Sequence, residues 1–191
     1  MRIFIMMFLL LLTACQMGSD TVKEIEMYNA SGDMVGTATF TEQEDGVQIK
    51  VKVTGLTPGF HGIHVHEYPK CEGPDFKSAG NHFNPEGKKH GLLHPDGAHL
   101  GDLPNIEADE SGKVEAEIMA PNATLLEDDL SFLRGDGTSL VIHAGPDDGM
   151  SQPGGDAGER IVCGELLAES ADDDETPTDP VESDKEGDES E

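Results

Sequence analysis

The stretch Val47-Gln48-Ile49-Lys50-Val51-Lys52-Val53-Thr54 alternates branched apolar residues with polar ones without a break. A period of two sends Val47, Ile49, Val51 and Val53 to one face of an extended chain and the polar residues to the other. The segment reads as a strand with one buried face. Lys113-Val114-Glu115-Ala116-Glu117-Ile118 repeats the pattern, and residues 35–41, 138–143 and 160–167 are further strand candidates. Turn signals separate them: Ser31-Gly32-Asp33, Glu44-Asp45-Gly46, Glu110-Ser111-Gly112 and Gly135-Asp136-Gly137. Short strands at this spacing predict an all-β domain over residues 24–168, a Greek-key β-barrel or sandwich of about eight antiparallel strands.

Outside the domain the composition changes. Residues 3–12 are an unbroken apolar run behind a single cation, Arg2. A helix of that length spans about half of a ~30 Å membrane core. Residues 1–14 therefore read as a secretory signal peptide and not as a membrane span. Leu12-Thr13-Ala14-Cys15 resembles the lipobox of bacterial lipoproteins, in which the cysteine takes the lipid and becomes the mature N-terminus. Residues 15–23 then form a small, polar tether, and the protein is expected outside the cytoplasm, anchored to the membrane through Cys15. An ordinary cleaved signal with a chance cysteine is the plainer alternative. If Cys15 carries lipid, Cys71 and Cys163 remain as an even pair in an exported chain, a setting in which disulfides persist.

The net charge is -27, of which residues 169–191 contribute -11 and the other 168 residues -16. The terminal run has almost no large apolar side chains and includes Pro177 and Pro180, so an acidic, disordered tail is expected. The chain has no basic patch and no aromatic stacking platform, which excludes a nucleic-acid-binding role.

Two stretches interrupt the strand rhythm. Residues 68–105 are rich in Gly, Pro, His and Asp and poor in apolar residues, and residues 145–158 are rich in Gly and Asp. A loop as long as the first is uncommon without a function, and something other than a hydrophobic core must hold it. Seven of the eight histidines fall between His61 and His99. In His61-Gly62-Ile63-His64-Val65-His66, strand geometry turns His64 and His66 to one face with Cα atoms about 6.5–7 Å apart, near enough to share a metal. His82, His90, His99 and Asp102 lie in the long loop, and three imidazoles with a carboxylate can complete a tetrahedral zinc site. Metal closure would order such a loop; a flexible histidine-rich loop that binds metals adventitiously is the alternative.

Several motifs occur together in one order: His61-Gly62-Ile63-His64-Val65-His66-Glu67, Ser78-Ala79-Gly80-Asn81-His82-Phe83-Asn84-Pro85, Lys89-His90-Gly91, His99-Leu100-Gly101-Asp102-Leu103, Leu140-Val141-Ile142-His143 and Gly158-Glu159-Arg160-Ile161-Val162-Cys163-Gly164. Together they resemble the Cu,Zn superoxide dismutase family. The resemblance implies copper held by His64, His66, His82 and His143, and zinc held by His82, His90, His99 and Asp102, with His82 bridging the two. It implies an intrachain disulfide between Cys71 and Cys163, Arg160 beside copper as the anchor for the anionic substrate, and Asp147 as a carboxylate linking a copper histidine to a zinc histidine. His61 matches a structural histidine of the barrel, and His94 matches no role.

The implied activity is dismutation of superoxide to dioxygen and hydrogen peroxide, with copper carrying the electron and the His82 imidazole taking up and releasing a proton. The alternative is a non-catalytic lipoprotein of the same fold that handles copper or zinc; His143 and Arg160 discriminate, and both are present. One departure stands out. Many members steer superoxide with lysines in the loop before the arginine, whereas residues 145–159 contain no Lys but Asp147, Asp148 and Asp156. Weak long-range steering is therefore expected.

Overall fold

The computed structural model describes residues 21–168. The expected signal segment, Cys15 and the acidic terminal run lie outside the described residues. Nine strands follow in order: β1 (Val22–Asn29), β2 (Met34–Gln43), β3 (Gly46–Val53), β4 (Gly59–His61), β5 (Ile63–His66), β6 (Ile106–Ala108), β7 (Val114–Pro121), β8 (Gly137–His143) and β9 (Arg160–Leu167). The only helical element among the described residues is a short 3-10 turn, Lys77–Ala79.

The seven-stranded sheet runs β5-β8-β9-β1-β2-β3-β7, with β4 and β6 as a separate pair, and every pairing is antiparallel. The two ends of this sheet are brought together by the chain itself. Only Gly62 separates β4 from β5, and residues 109–113 turn β6 into β7. The chain thus leaves β3, crosses to β4 and β5, and returns to β3 through β7, which is a Greek-key route. Nine strands appear where about eight were expected because residues 59–66 change partners at Gly62. Its N–H donates to Gly145 O at 2.8 Å and its carbonyl accepts from His143 N–H at 2.8 Å.

The alternation of β3 is realised as read: Val47, Ile49, Val51 and Val53 are buried and pack with Ile118, Leu140, Ile142 and Leu166 in one core. Phe132 anchors it, with its ring centroid 6.3 Å from Phe40 and 5.8 Å from Phe83, both edge-on. The long loop contributes more to this core than its composition suggested, since Phe83 and Leu103 are both members. A second, smaller cluster sits on the opposite face of β8. There Val141 meets Phe76 and Ala79 of the loop and the Cys71–Cys163 disulfide, whose Cα atoms are 5.7 Å apart.

The loop is also hooked onto β5 by backbone hydrogen bonds. Val65 N–H donates to Gly101 O at 2.9 Å, Phe83 N–H to Val65 O at 2.8 Å, and Glu67 N–H to Asn81 O at 2.9 Å. Gly101 has to be glycine for this, because a Cβ there would stand 2.2 Å from Val65 O. The loop is therefore held by backbone pairing, by two apolar plugs and by a covalent link 92 residues long in sequence separation. A cross-link of that span is worth about 4–5 kcal/mol in the chain-entropy account. Replacing Cys71 with Ser is expected to lower unfolding free energy by about 2–5 kcal/mol in urea titrations monitored by circular dichroism.

Candidate metal centre

The candidate metal-ligating side chains come from three places. β5 supplies His64 and His66, both fully buried on the face away from the core residues Ile63 and Val65. β8 ends in His143, where the pairing with β9 shifts register between Ile142 and His143 and sets His143 opposite Arg160. Bulges of this kind re-aim a side chain at the rim of a sheet. The long loop returns His82, His90, His99 and Asp102 along β5, with His82 bridged to His66 and Asp102 to His64.

Two groups result. His64, His66, His82 and His143 form one, and His82, His90, His99 and Asp102 the other; in each, the ligand atoms lie within 4.8 Å of one another. Only His82 belongs to both. The structure thus brings together all the residues singled out for metal binding, in the two sets anticipated.

The donor chemistry fits metal ions. His64 Nε2 is 2.6 Å from Asp147 Oδ2, His66 Nδ1 is 3.0 Å from Gly80 O, and His143 Nδ1 is 3.1 Å from Gly158 O. Each of these contacts places the ring proton on the outer nitrogen. The other nitrogens, His64 Nδ1, His66 Nε2 and His143 Nε2, are buried and have no hydrogen-bond partner among the described residues. Buried polar atoms are rarely left so, and three inward lone pairs that converge are a metal-ligand set.

In the second group Asp102 Oδ1 lies 2.8, 3.1 and 3.2 Å from the Nδ1 atoms of His82, His90 and His99. The other carboxylate oxygen is already occupied: it accepts from Gly91 N–H at 2.8 Å and His99 N–H at 3.0 Å. Three imidazoles and one fixed carboxylate oxygen match a closed zinc site.

Electrostatics favours the ligand forms. Burial drives His82 down to about 4, against the pull of its Asp102 hydrogen bond. Burial, helped by His64, takes His143 down to about 3. Burial also holds His66 well below the ordinary imidazole range, with His82 and Arg160 adding to the effect. For Asp102, burial pushes upward but is outweighed by the hydrogen bonds from His82 and Gly91, so the group stays ionised well below the usual carboxylate range. Neutral imidazoles and an ionised carboxylate are the forms that bind metal.

Asp147 spans the two groups. Beside its contact with His64, its Oδ1 lies 3.2 Å from His90 Nε2 and accepts from Gly149 N–H at 2.6 Å. Gly155 leaves room for it, since a Cβ there would be 2.0 Å from Asp147 Oδ1. Arg160 stands at the wall of a cleft of about 620 Å³ that also takes in His82, His143, Asn81 and Gly154. Its guanidinium donates to Phe76 O at 2.8 Å and to Gly80 O at 2.7 Å. Gly80 O therefore serves both Arg160 and His66. Gly80 sits at φ +78°, with no space for a Cβ beside Glu67 and Tyr68. No sequence signal short of the Ser78-Ala79-Gly80-Asn81-His82 motif marks that carbonyl.

His61 is placed as a structural residue, its ring nitrogens 2.7 Å from His143 O and 2.8 Å from Thr57 O. The ring of His94 only caps its own turn, accepting from Asp96 N–H at 3.0 Å. A more apolar cleft of about 540 Å³ along β1 and β9, lined by Ile25, Phe76 and Leu166, holds no histidine.

The chain matches the copper/zinc superoxide dismutase (SODC) family over residues 34–166. It belongs to that family. A Cu-Zn superoxide dismutase of Aquifex aeolicus is 45% identical to it, with 81% of this chain and 92% of the relative covered. Among solved structures, a double mutant of a SOD-like protein from Bacillus subtilis superposes with a TM-score of 0.74 at 42% identity, covering 75% of this chain and 96% of that one. The Cu/Zn superoxide dismutase of Brucella abortus gives a TM-score of 0.64 at 34% identity, covering 78% and 100%.

Replacing Asp147 with Asn keeps the size of the side chain but removes the charge that fixes both His64 and His90. A 10- to 100-fold loss of zinc affinity is expected, measured by competition with a chromogenic chelator, with His61→Gln serving as a fold-only comparison.

Proposed function

We propose that the protein dismutes superoxide to dioxygen and hydrogen peroxide, with copper held by His64, His66, His82 and His143 and zinc by His82, His90, His99 and Asp102. The observation that carries this is the pair of ligand groups sharing His82, with three buried and unpartnered ring nitrogens aimed into the first of them. Bound there, copper supplies the one-electron exchange and zinc a fixed positive charge that holds the second ligand set in place.

The chain's own residues do the rest. Arg160 is pinned by two carbonyls, which leaves other donors of its five-donor fork for a small anion. Its charge persists although burial lowers its pKa, because guanidinium starts far above neutral pH. His82 Nδ1 faces the second group, 2.8 Å from Asp102 Oδ1, so the other ring nitrogen, turned toward the first group, is the position where a proton can be held and released. The complete copper set together with Arg160 argues against a non-catalytic metal-handling role.

Lysine steering is weak for a reason the loop composition only half conveyed. Lys77 does stand near Arg160, coming from the other loop, but its Nζ is 2.5 Å from Asp75 Oδ2. Activity measured by pulse radiolysis on the copper- and zinc-loaded protein should be robust and nearly constant with ionic strength. It should be lost in His143→Ala. Absence of activity at full metal occupancy would overturn the reading.

The chain is further proposed to act outside the cytoplasm as a lipoprotein anchored through Cys15. The support is the lipobox-like Leu12-Thr13-Ala14-Cys15 behind an apolar run, and the presence of a disulfide in the domain. In a bacterial host, wild-type protein should partition with membranes and incorporate labelled palmitate, and Cys15→Ser should do neither. Equal partitioning of both would refute the anchor.

A further inference from the structure

The two irregular loops that carry the ligands grip each other by a pair of side-chain amides. Asn105, at the end of the long loop, donates from Nδ2 to Asp147 O at 2.8 Å and accepts Asp147 N–H on Oδ1 at 2.9 Å. Gln152, in the other loop, donates from Nε2 to His90 O at 2.9 Å and accepts His90 N–H on Oε1 at 3.1 Å. Each carboxamide satisfies both backbone groups of one residue, as a neighbouring strand would. The two grips run in opposite directions: the long loop holds the other at Asp147, and the other holds the long loop at His90.

The residues gripped are the two ends of one linkage, since Asp147 Oδ1 meets His90 Nε2 at 3.2 Å while Oδ2 meets His64 Nε2 at 2.6 Å. A carboxylate can orient an imidazole only if its own backbone is fixed. Neither Asp147 nor His90 lies in a regular strand, so nothing in the sheet ladders fixes them. The amides take over that task, and Leu93 N–H to Gly149 O at 3.1 Å is the one other backbone link between these stretches among the described residues.

We propose that Asn105 and Gln152 are positioning residues that clamp the two loops together and so couple the order of the zinc ligands to the orientation of the copper ligand His64. The proposal rests on the two-metal reading above. Both side chains are exposed and belong to neither apolar cluster, so truncating them leaves the barrel core intact.

The test compares wild-type holoprotein with Asn105→Ala, Gln152→Ala and Gln152→Glu. Zinc release to a chromogenic chelator is followed by stopped flow, the copper environment by electron paramagnetic resonance, and the thermal midpoint is taken with and without metals. Each alanine variant should release zinc about 10- to 100-fold faster, as loss of an outer partner does at metal sites. Each should also shift the copper hyperfine splitting, although Gln152 touches no copper ligand. Gln152→Glu keeps the acceptor for His90 N–H but loses the donor, and should fall between wild type and Gln152→Ala. The metal-free midpoint should stay at the wild-type value.

Wild-type zinc release and copper spectra in both alanine variants would overturn the clamp while leaving the two-metal reading intact. So would a metal-free protein destabilised as much as the loaded one, which would make the amides mere supports of the fold. A wild-type protein that takes up no zinc would overturn the two-metal reading itself, and the clamp with it.

Discussion

Four imidazoles packed on the outer face of a sheet, three of them with a nitrogen facing no hydrogen-bond partner, form an arrangement that protein alone does not sustain cheaply. Each buried, unsatisfied polar atom costs on the order of 1–3 kcal/mol. The convergence of those lone pairs makes the cost recoverable by a cation. The other features of the site follow from that constraint. The outer nitrogens must be held as donors, which requires Asp147, Gly80 O and Gly158 O where they stand. The loops that bring these acceptors must be fixed without a core of their own.

Order in the long loop is assembled from several weak devices acting together. Phe83 and Leu103 reach into the main core, while Phe76 and the disulfide pack against the outer face of β8. Backbone bonds to β5 fix the stretches beside His82 and Asp102. The disulfide belongs to this system because Cys163 lies on β9, three residues after Arg160, and Phe76 O accepts from Arg160 itself. The same cross-link therefore ties down the loop and steadies the carbonyl that orients the arginine. Loop order and the placement of Arg160 share one mechanical origin.

Much of this was legible in the sequence, for definable reasons. Alternation in β3 and β7 is strong because one face is buried and the other wet, so the period of two survives in the residue types. β8 is buried on both faces and β1 has only Ile25 and Met27 fully inside, so their patterns are fainter. Ligand identity was legible because imidazole and carboxylate chemistry is carried by residue type, and motif order then placed each residue. What depends on backbone geometry was not. The break at Gly62, the shared carbonyl of Gly80 and the two amide grips involve groups that any residue has, or side chains as common as Asn and Gln. The same holds for Lys77: reading one loop for lysines could not show that a lysine from the other loop arrives beside Arg160 already paired with Asp75.

A chain with net charge -27 acting on an anion would seem to work against itself. Range resolves the conflict. At physiological ionic strength the Debye length is about 8 Å, so acids farther than that from the cleft are largely screened, while Glu67 and Asp156 line the cleft itself. The permanent cation on the same cleft wall is Arg160, its fork half-buried and immobilised by two carbonyls. Partial desolvation strengthens its interactions relative to those of exposed charges. Attraction is therefore short-ranged and oriented, and it depends on the geometry of residues 76–80 more than on the global field. A protein built this way can carry a strongly acidic surface with little cost to its chemistry, provided the carbonyls of Phe76 and Gly80 keep their places.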